Sequence, residues 1–280
     1  MLKQRIITAL LLLAVLLPAM FHARTGPFAT LSLLMVAAAG WEWARMNACG
    51  AQSSRVVGGL LAGAMLLFWW LGGLDRSWLE IWLAASAVWL LLAVVMLRRG
   101  VQGWQAWSAT PRRVVGLVLL AVAWLALVQA HQMGIVFLLS ILTLVWAADI
   151  AAYAGGRAFG RRKLAPTLSP GKSWEGAISG FVGVCLLALF WVWFDQRFDT
   201  TAPSLFTRLW LTGPTWLAGA VVLLTATSVV GDLLESLVKR GAGMKDSSQL
   251  LPGHGGVLDR VDALLPVLPV AMMLTRLLEK

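Results

Sequence analysis

Residues 228–262, SVVGDLLESLVKRGAGMKDSSQLLPGHGGVLDRVD, gather carboxylates and cations in a chain otherwise composed for lipid. The segment holds Asp232, Glu235, Lys239, Arg240, Lys245, Asp246, Asp259, Arg260 and Asp262. Acidic oxygens suit a hard divalent cation, while Lys, Arg and the amides exposed by Gly253, Gly255 and Gly256 suit phosphates. Phosphate chemistry at a membrane surface is the first implication. Asp232 stands near the end of an apolar span, where a carboxylate usually faces a protein interior or a wet cavity. Ser236, four residues on, shares its helix face. Asp259 opens the next helix after a Gly-Gly turn, and folding the loop back would carry it towards Asp232. Two carboxylates from neighbouring helices could then bind Mg²⁺ beside a nucleotide's phosphates. The structural alternatives are an Asp232 pair with Lys239 or Arg240 and a capping role for Asp259.

The run Ser236-Leu-Val-Lys239-Arg240, then Lys245-Asp246, then Pro252-Gly-His254-Gly-Gly-Val-Leu-Asp259-Arg260-Val-Asp262 resembles the signature of the phosphatidate cytidylyltransferases. These CDP-diacylglycerol synthases are integral membrane enzymes that join CTP to phosphatidic acid. An upstream block, Trp146-Ala-Ala-Asp149-Ile-Ala-Ala-Tyr153 through Leu168-Ser-Pro-Gly-Lys172-Ser-Trp-Glu175-Gly176, resembles the same family. The resemblance covers residues 146–262; the first 140 contribute only a hydrophobic, many-span character. It implies that Asp232 and Asp259 are the metal-binding pair, for Mg²⁺ with room for a second divalent or monovalent ion. Beside them Lys239 and Arg260, natural phosphate ligands by their chemistry, are expected to take part in catalysis. Ser169, Lys172, Ser173, Ser236, Arg240, Lys245, Asp246, His254, Asp149 and Tyr153 become substrate-binding candidates. Gly241 and Ser248-Gln249 lie between the signature's anchors, at positions where variation is expected.

Each assignment has a plainer rival. Loop cations most often only keep a loop on the cytoplasmic side, but here they interleave with aspartates and glycines. His254 suggests a general base, yet a phosphate monoester, with a second pKa of about 6, is already largely dianionic and needs none. A hydrogen-bonding or loop-ordering role suits it better. Asp149 and Tyr153, the only tyrosine, stand four apart; a buried aspartate bonded to that hydroxyl would serve structure and substrate equally. Arg161 to Lys163 read as topology and headgroup contacts, and Ser169 to Glu175 as a turn and a capped helix start. Glu175 and Asp262 read as helix-start charges. No GxxxxGK[ST] phosphate loop is present.

The elements that must position these groups are membrane helices. Hydrophobic residues make up 59% of the 280 and charged ones 13%, against roughly 25% charged in a soluble domain. An all-α polytopic membrane protein with about nine spans is expected, at 3–21, 27–44, 56–73, 78–97, 113–129, 132–154, 174–194, 214–238 and 262–278. The basic, apolar N-terminus reads as an uncleaved first helix. The division is an N-terminal set of about five helices (1–130) and a C-terminal catalytic region (131–280) of about four, with two motif loops.

Of the 23 Lys and Arg, 17 fall on the side of the N-terminus and both motif loops. Arg24, Arg76, Arg197, Arg208, Arg276 and Lys280 take the other. The bias places the N-terminus and motif loops in the cytoplasm, where CTP is, and the protein in the cytoplasmic (inner) membrane. The net charge of +10 therefore reads as topology with some attraction to anionic headgroups. Nucleic-acid binding is not expected, since the cations are split among loops and no recognition module appears. Tryptophans such as Trp41, Trp43, Trp69, Trp70 and Trp78 read as interfacial anchors, and the Arg98–Arg113 loop, with Trp104 and Trp107, as lying along the interface. Cys49 and Cys185 imply neither a disulfide framework nor a zinc site.

The expected reaction is nucleotidyl transfer: phosphatidic acid enters from the bilayer, CTP from the cytosol, and CDP-diacylglycerol and pyrophosphate leave. The family would allow a homodimer. Rival readings are a CTP-dependent polyprenol or phytol kinase, whose alcohol acceptor needs a base, and a transporter of an anionic lipid or nucleotide. A transporter should show paired broken helices in two halves, whereas the polar motifs concentrate in the second half.

Overall fold

Backbone polar groups in hydrocarbon must be satisfied within the chain, so long apolar runs between Gly, Pro and charged breaks fold as helices. The structure, a computed structural model, describes residues 2–278. The order is α1 (Leu2–Met20), α2 (Thr25–Met46), α3 (Ala51–Trp70), α4 (Leu79–Gln105), α5 (Ala109–Gln132), α6 (Ile135–Phe159), β1 (Lys163–Ala165), β2 (Ser169–Ser173), α7 (Trp174–Phe198), α8 (Leu205–Thr212), α9 (Pro214–Gly241), α10 (Leu258–Val261) and α11 (Leu264–Leu278). Lys280 lies outside the described residues.

All nine expected helices are present, and α8 and α10 are short additions. Among the described residues seven helices are long and apolar enough to cross a membrane: α1, α3, α4, α5, α6, α7 and α9. By that measure α2, with Glu42 and Arg45 near its end, stands apart, as does α11 with 15 residues. The turn expected before α7 is a small antiparallel hairpin, β1 on β2.

Two apolar clusters hold the bundle. The larger one packs Trp82, Trp124, Phe137, Phe206 and Ile141 together with α9 and α11. The smaller one gathers Met96, Trp104, Leu168, Leu234, Leu237 and Leu258 from α4, the hairpin, α9 and α10. It forms the floor under the polar segment. Trp104 is only 3% exposed, which corrects its assignment to the interface. The helix of α4 continues to Gln105 across a break at Gly100 (φ 65°, ψ −160°), and that break turns Trp104 inward, edge-on to Trp43 at 5.8 Å. Trp43 is likewise no surface anchor. Its Nε1 donates to the Arg112 carbonyl at 3.0 Å, and its ring fills the space beside Gly116, where a Cβ would lie 1.8 Å away. Trp70, 80% exposed, does face outward.

Alternating helices return the motif segments to one end of the bundle. Thr8 in α1 donates to the Pro252 carbonyl at 3.1 Å, and Gln105 ending α4 donates to the Gly241 carbonyl at 2.8 Å. Small residues draw α6 and α7 together. A Cβ on Gly176 or Gly180 would lie 2.9 Å from the carbonyl of Ala152 or Ala148, respectively.

Candidate functional site

The upstream block meets the signature through Lys172. Its Nζ lies 2.5 Å from Asp232 Oδ2, and Ser236 Oγ donates to Asp232 Oδ1 at 3.4 Å. Asp232 therefore pairs neither with Lys239 nor with Arg240. Lys239 is held by Glu235 and Asp259, and Arg240 is exposed. The hairpin places Lys172 by a local clamp. Glu175 accepts from the backbone N–H of Arg161 at 3.0 Å and of Arg162 at 3.1 Å, so it is more than the expected helix-start charge. The capped helix start expected within Ser169–Glu175 is present, and Ser173 is the cap, accepting from Gly176 N–H at 3.1 Å.

Lys172 and Asp232 line a cavity of about 430 Å³ between α6, α7, the hairpin and α9. Asp149, Tyr153, Ser169 and Ser173 line it too. Asp149 lies close enough to feel the charges of both Asp232 and Lys172. The expected buried Asp149–Tyr153 bond does not form. Both residues are exposed, and the Tyr153 hydroxyl accepts from Arg157, one turn on, at 3.4 Å.

A second group surrounds Lys239. Its Nζ lies 2.5 Å from Glu235 Oε2 and 2.7 Å from Asp259 Oδ1, with all three side chains largely buried. Asp259 Oδ2 accepts from Ser247 N–H at 2.8 Å, Ser247 hydroxyl at 2.9 Å and Gly256 N–H at 2.8 Å. It therefore reaches back to pin the loop rather than capping its own helix. Burial opposes the Asp259 charge, but the bonds from Lys239, Gly256 and Ser247 outweigh it and hold the carboxyl below the usual range. Asp262 stands between the groups, since Gly231 leaves room for its backbone: a Cβ there would lie 2.5 Å from the Asp262 carbonyl oxygen. Burial, then the Asp232 charge, pushes the Asp262 carboxyl up to about 7. It also feels Lys239 and Lys172, so it is part of the charged site and not merely a helix-start residue.

Arg240, Lys245, Asp246 and Arg260 are exposed around this end. His254 sits in a tight turn, its N–H donating to the Leu251 carbonyl at 2.8 Å, and its Nδ1 is buried without a hydrogen-bond partner. Gly253 (φ 77°) and Gly255 (φ 83°) take the left-handed conformations this turn needs.

Four residues that hold the loop, Glu42, Arg45, Ser247 and Ser248, have no place among the sequence candidates. Glu42 in α2, fully buried, accepts four hydrogen bonds from the signature loop. Ser248, set aside as a variable position, is buried and is one of those donors. The only hint in the sequence is a carboxylate inside an apolar run, Gly40-Trp-Glu42-Trp.

Among the described residues no three His, Cys, Asp or Glu side chains converge into a ready-made metal cage. Mg²⁺ usually takes one or two carboxylates and completes its shell with water and substrate phosphates. The oxygen donors at Asp232 and Asp259, beside Asp262, fit that ion in kind.

A sequence model described as the Cytidylyltransferase family matches residues 3–278. A Pseudomonas aeruginosa protein named phosphatidate cytidylyltransferase is 41% identical over 274 residues, which is 96% of this chain and 95% of that protein. A Haemophilus influenzae protein of the same name is 36% identical, covering 96% of each. One from Brucella melitensis is 34% identical over 94% of this chain and 89% of its own length.

Proposed function

This chain belongs to the cytidylyltransferase family, and we propose that it transfers CMP from CTP to phosphatidic acid, giving CDP-diacylglycerol and pyrophosphate. The observation that carries this reading is the meeting of the two motif segments through Lys172 and Asp232 at one cavity. Cations and carboxylates there suit the union of two polyanions, whose mutual repulsion opposes the reaction. The lipid phosphate, already largely dianionic, attacks the α-phosphorus without a protein base. As that P–O bond forms, the bond to the β-phosphate's bridging oxygen breaks and pyrophosphate leaves with the electron pair.

In this reading Lys172 exchanges its Asp232 contact for a substrate phosphate, while Lys239 and Arg260 face developing charge. Arg240, Lys245 and Asp246 receive the nucleotide at the rim, and Ser169, Ser173, Ser236, Asp149 and Tyr153 orient substrate in the cavity. Mg²⁺ held by Asp232 and Asp259 would supply charge neutralisation on the triphosphate and stabilise the leaving pyrophosphate. Phosphatidic acid reaches the cavity from the bilayer with its acyl chains still in lipid. The motif loops face the cytoplasm, the protein sits in the inner membrane, and residues 1–130 support a catalytic region at 131–280. A homodimer is compatible with this arrangement.

The test is conversion of labelled CTP by purified protein in mixed micelles containing phosphatidic acid. Label from the α-phosphate is expected in lipid; lipid label only from γ-labelled CTP would make the protein a kinase. No transfer from either position by folded protein would favour a transporter. His254→Ala is expected to lose less than about tenfold in turnover, whereas removing a true general acid or base would cost about 10²–10⁴-fold. Complete loss with an intact fold would give His254 a direct role.

A further inference from the structure

We propose that Glu42, in the N-terminal half, is a positioning residue that staples the signature loop and thereby sets the place of Asp259; this rests on the role given to Asp259 above. The loop between α9 and α10 leaves the helix at Gly241 and returns at Leu258. Loop closure costs entropy, and something must hold the middle of the loop against its returning end. Glu42 bridges the two with each of its oxygens. Oε1 accepts from Ser248 hydroxyl at 2.5 Å and Val257 N–H at 3.0 Å; Oε2 accepts from Ser247 hydroxyl at 3.1 Å and Leu258 N–H at 2.8 Å. Each carboxylate oxygen thus ties a serine at the middle of the loop to a backbone N–H at its end.

The same middle and end of the loop meet again at Asp259, whose Oδ2 accepts from Ser247 and Gly256. Ser247 hydroxyl lies between the carboxylates of Glu42 and Asp259 and links them. One turn along α2, Arg45 Nη2 donates to the Ser247 carbonyl, so one helix face grips that residue from two directions. Packing here tolerates no addition: a Cβ on Gly256 would lie 2.1 Å from Ser247 Oγ and 2.3 Å from Glu42 Oε1. Glu42 has no exposed surface and so cannot touch substrate. Its influence must pass through the loop.

Glu42→Gln is the informative variant because it changes no volume. Whichever way the amide is turned, its NH₂ meets a backbone N–H, that of Val257 or of Leu258, and a donor is left facing a donor. Hydrogen exchange of the 246–258 amides in micelles is expected to quicken, with α6 and α7 unchanged. The Mg²⁺ concentration for half-maximal activity should rise, or turnover should fall, by about 10- to 100-fold, as for other supports of metal ligands. Ser248→Ala, which deletes one of the four bonds and keeps the carboxylate, should loosen the same segment to a smaller extent. It keeps the idea testable if Glu42→Gln does not fold. Unchanged exchange at 246–258 in Glu42→Gln, or in Ser248→Ala should Glu42→Gln not fold, overturns the staple, whatever Asp259 does. Loosened exchange alongside full turnover in a parallel Asp259→Asn would instead keep the staple and remove the metal role of Asp259.

Discussion

Asp259→Asn is expected to fold and to lose turnover by about 10²–10³-fold or more, the scale of removing a charge-stabilising group from a reacting centre. Asp259 Oδ1 faces the Lys239 ammonium and Oδ2 faces donors from Ser247 and Gly256. An asparagine can offer oxygen to only one of these sets, and it removes the charge an Mg²⁺ ion would use. The fold should survive because Glu42 independently ties Ser247, Ser248, Val257 and Leu258. The check is transfer of α-labelled CTP alongside gel filtration and thermal melting in detergent; near-normal turnover would remove Asp259 from the metal site. Acid should not mimic the substitution until low pH. The Asp259 carboxyl is held below its usual range, so its stabilising contribution is complete above the ordinary aspartate value of about 3.9. It is lost only as pH falls through the lower folded value.

Lys239→Met should produce the largest loss of stability. The ammonium lies 2.5 Å from Glu235 and 2.7 Å from Asp259, and the two carboxylate side chains are 4% and 5% exposed. Removing the cation leaves two buried carboxylates without a counter-ion, a change that costs about 3–5 kcal/mol. Denaturation in mixed micelles measures it, and adding Glu235→Gln should recover part by removing one orphaned charge. A single-variant loss under about 1 kcal/mol would mean that the cluster is hydrated and behaves as a surface pair. Activity should fall as well, since Asp259 would lose the partner on its Oδ1.

How far the sequence reaches differs from residue to residue. Asp232 and Ser236 could be put on one helix face from their spacing alone, and the bond between them forms. A capped helix start could be placed within Ser169–Glu175 because capping is local chemistry, and the structure makes Ser173 the cap. The Asp232 partner was not legible: Lys172 precedes it by sixty residues, and the small-residue contact of α6 with α7 brings the hairpin over α9. Trp104 was misplaced for a similar reason. A break at Gly100 turns an aromatic with interfacial composition into a core residue.

Composition and apolar run length by themselves determined a helical membrane protein, and the resemblance carried by the motif residues pointed to the family. Those signals are local or additive, and periodicity and burial chemistry translate them directly into helices and exposed ends. Only the tertiary structure decided how the charges divide, with Lys172 on Asp232 and Lys239 between Glu235 and Asp259, and that Glu42 of α2 belongs to the loop. A hydrogen bond joining residues over two hundred positions apart leaves no trace in local pattern. It exists because helix packing brings their ends together and a buried carboxylate must find donors wherever the fold provides them.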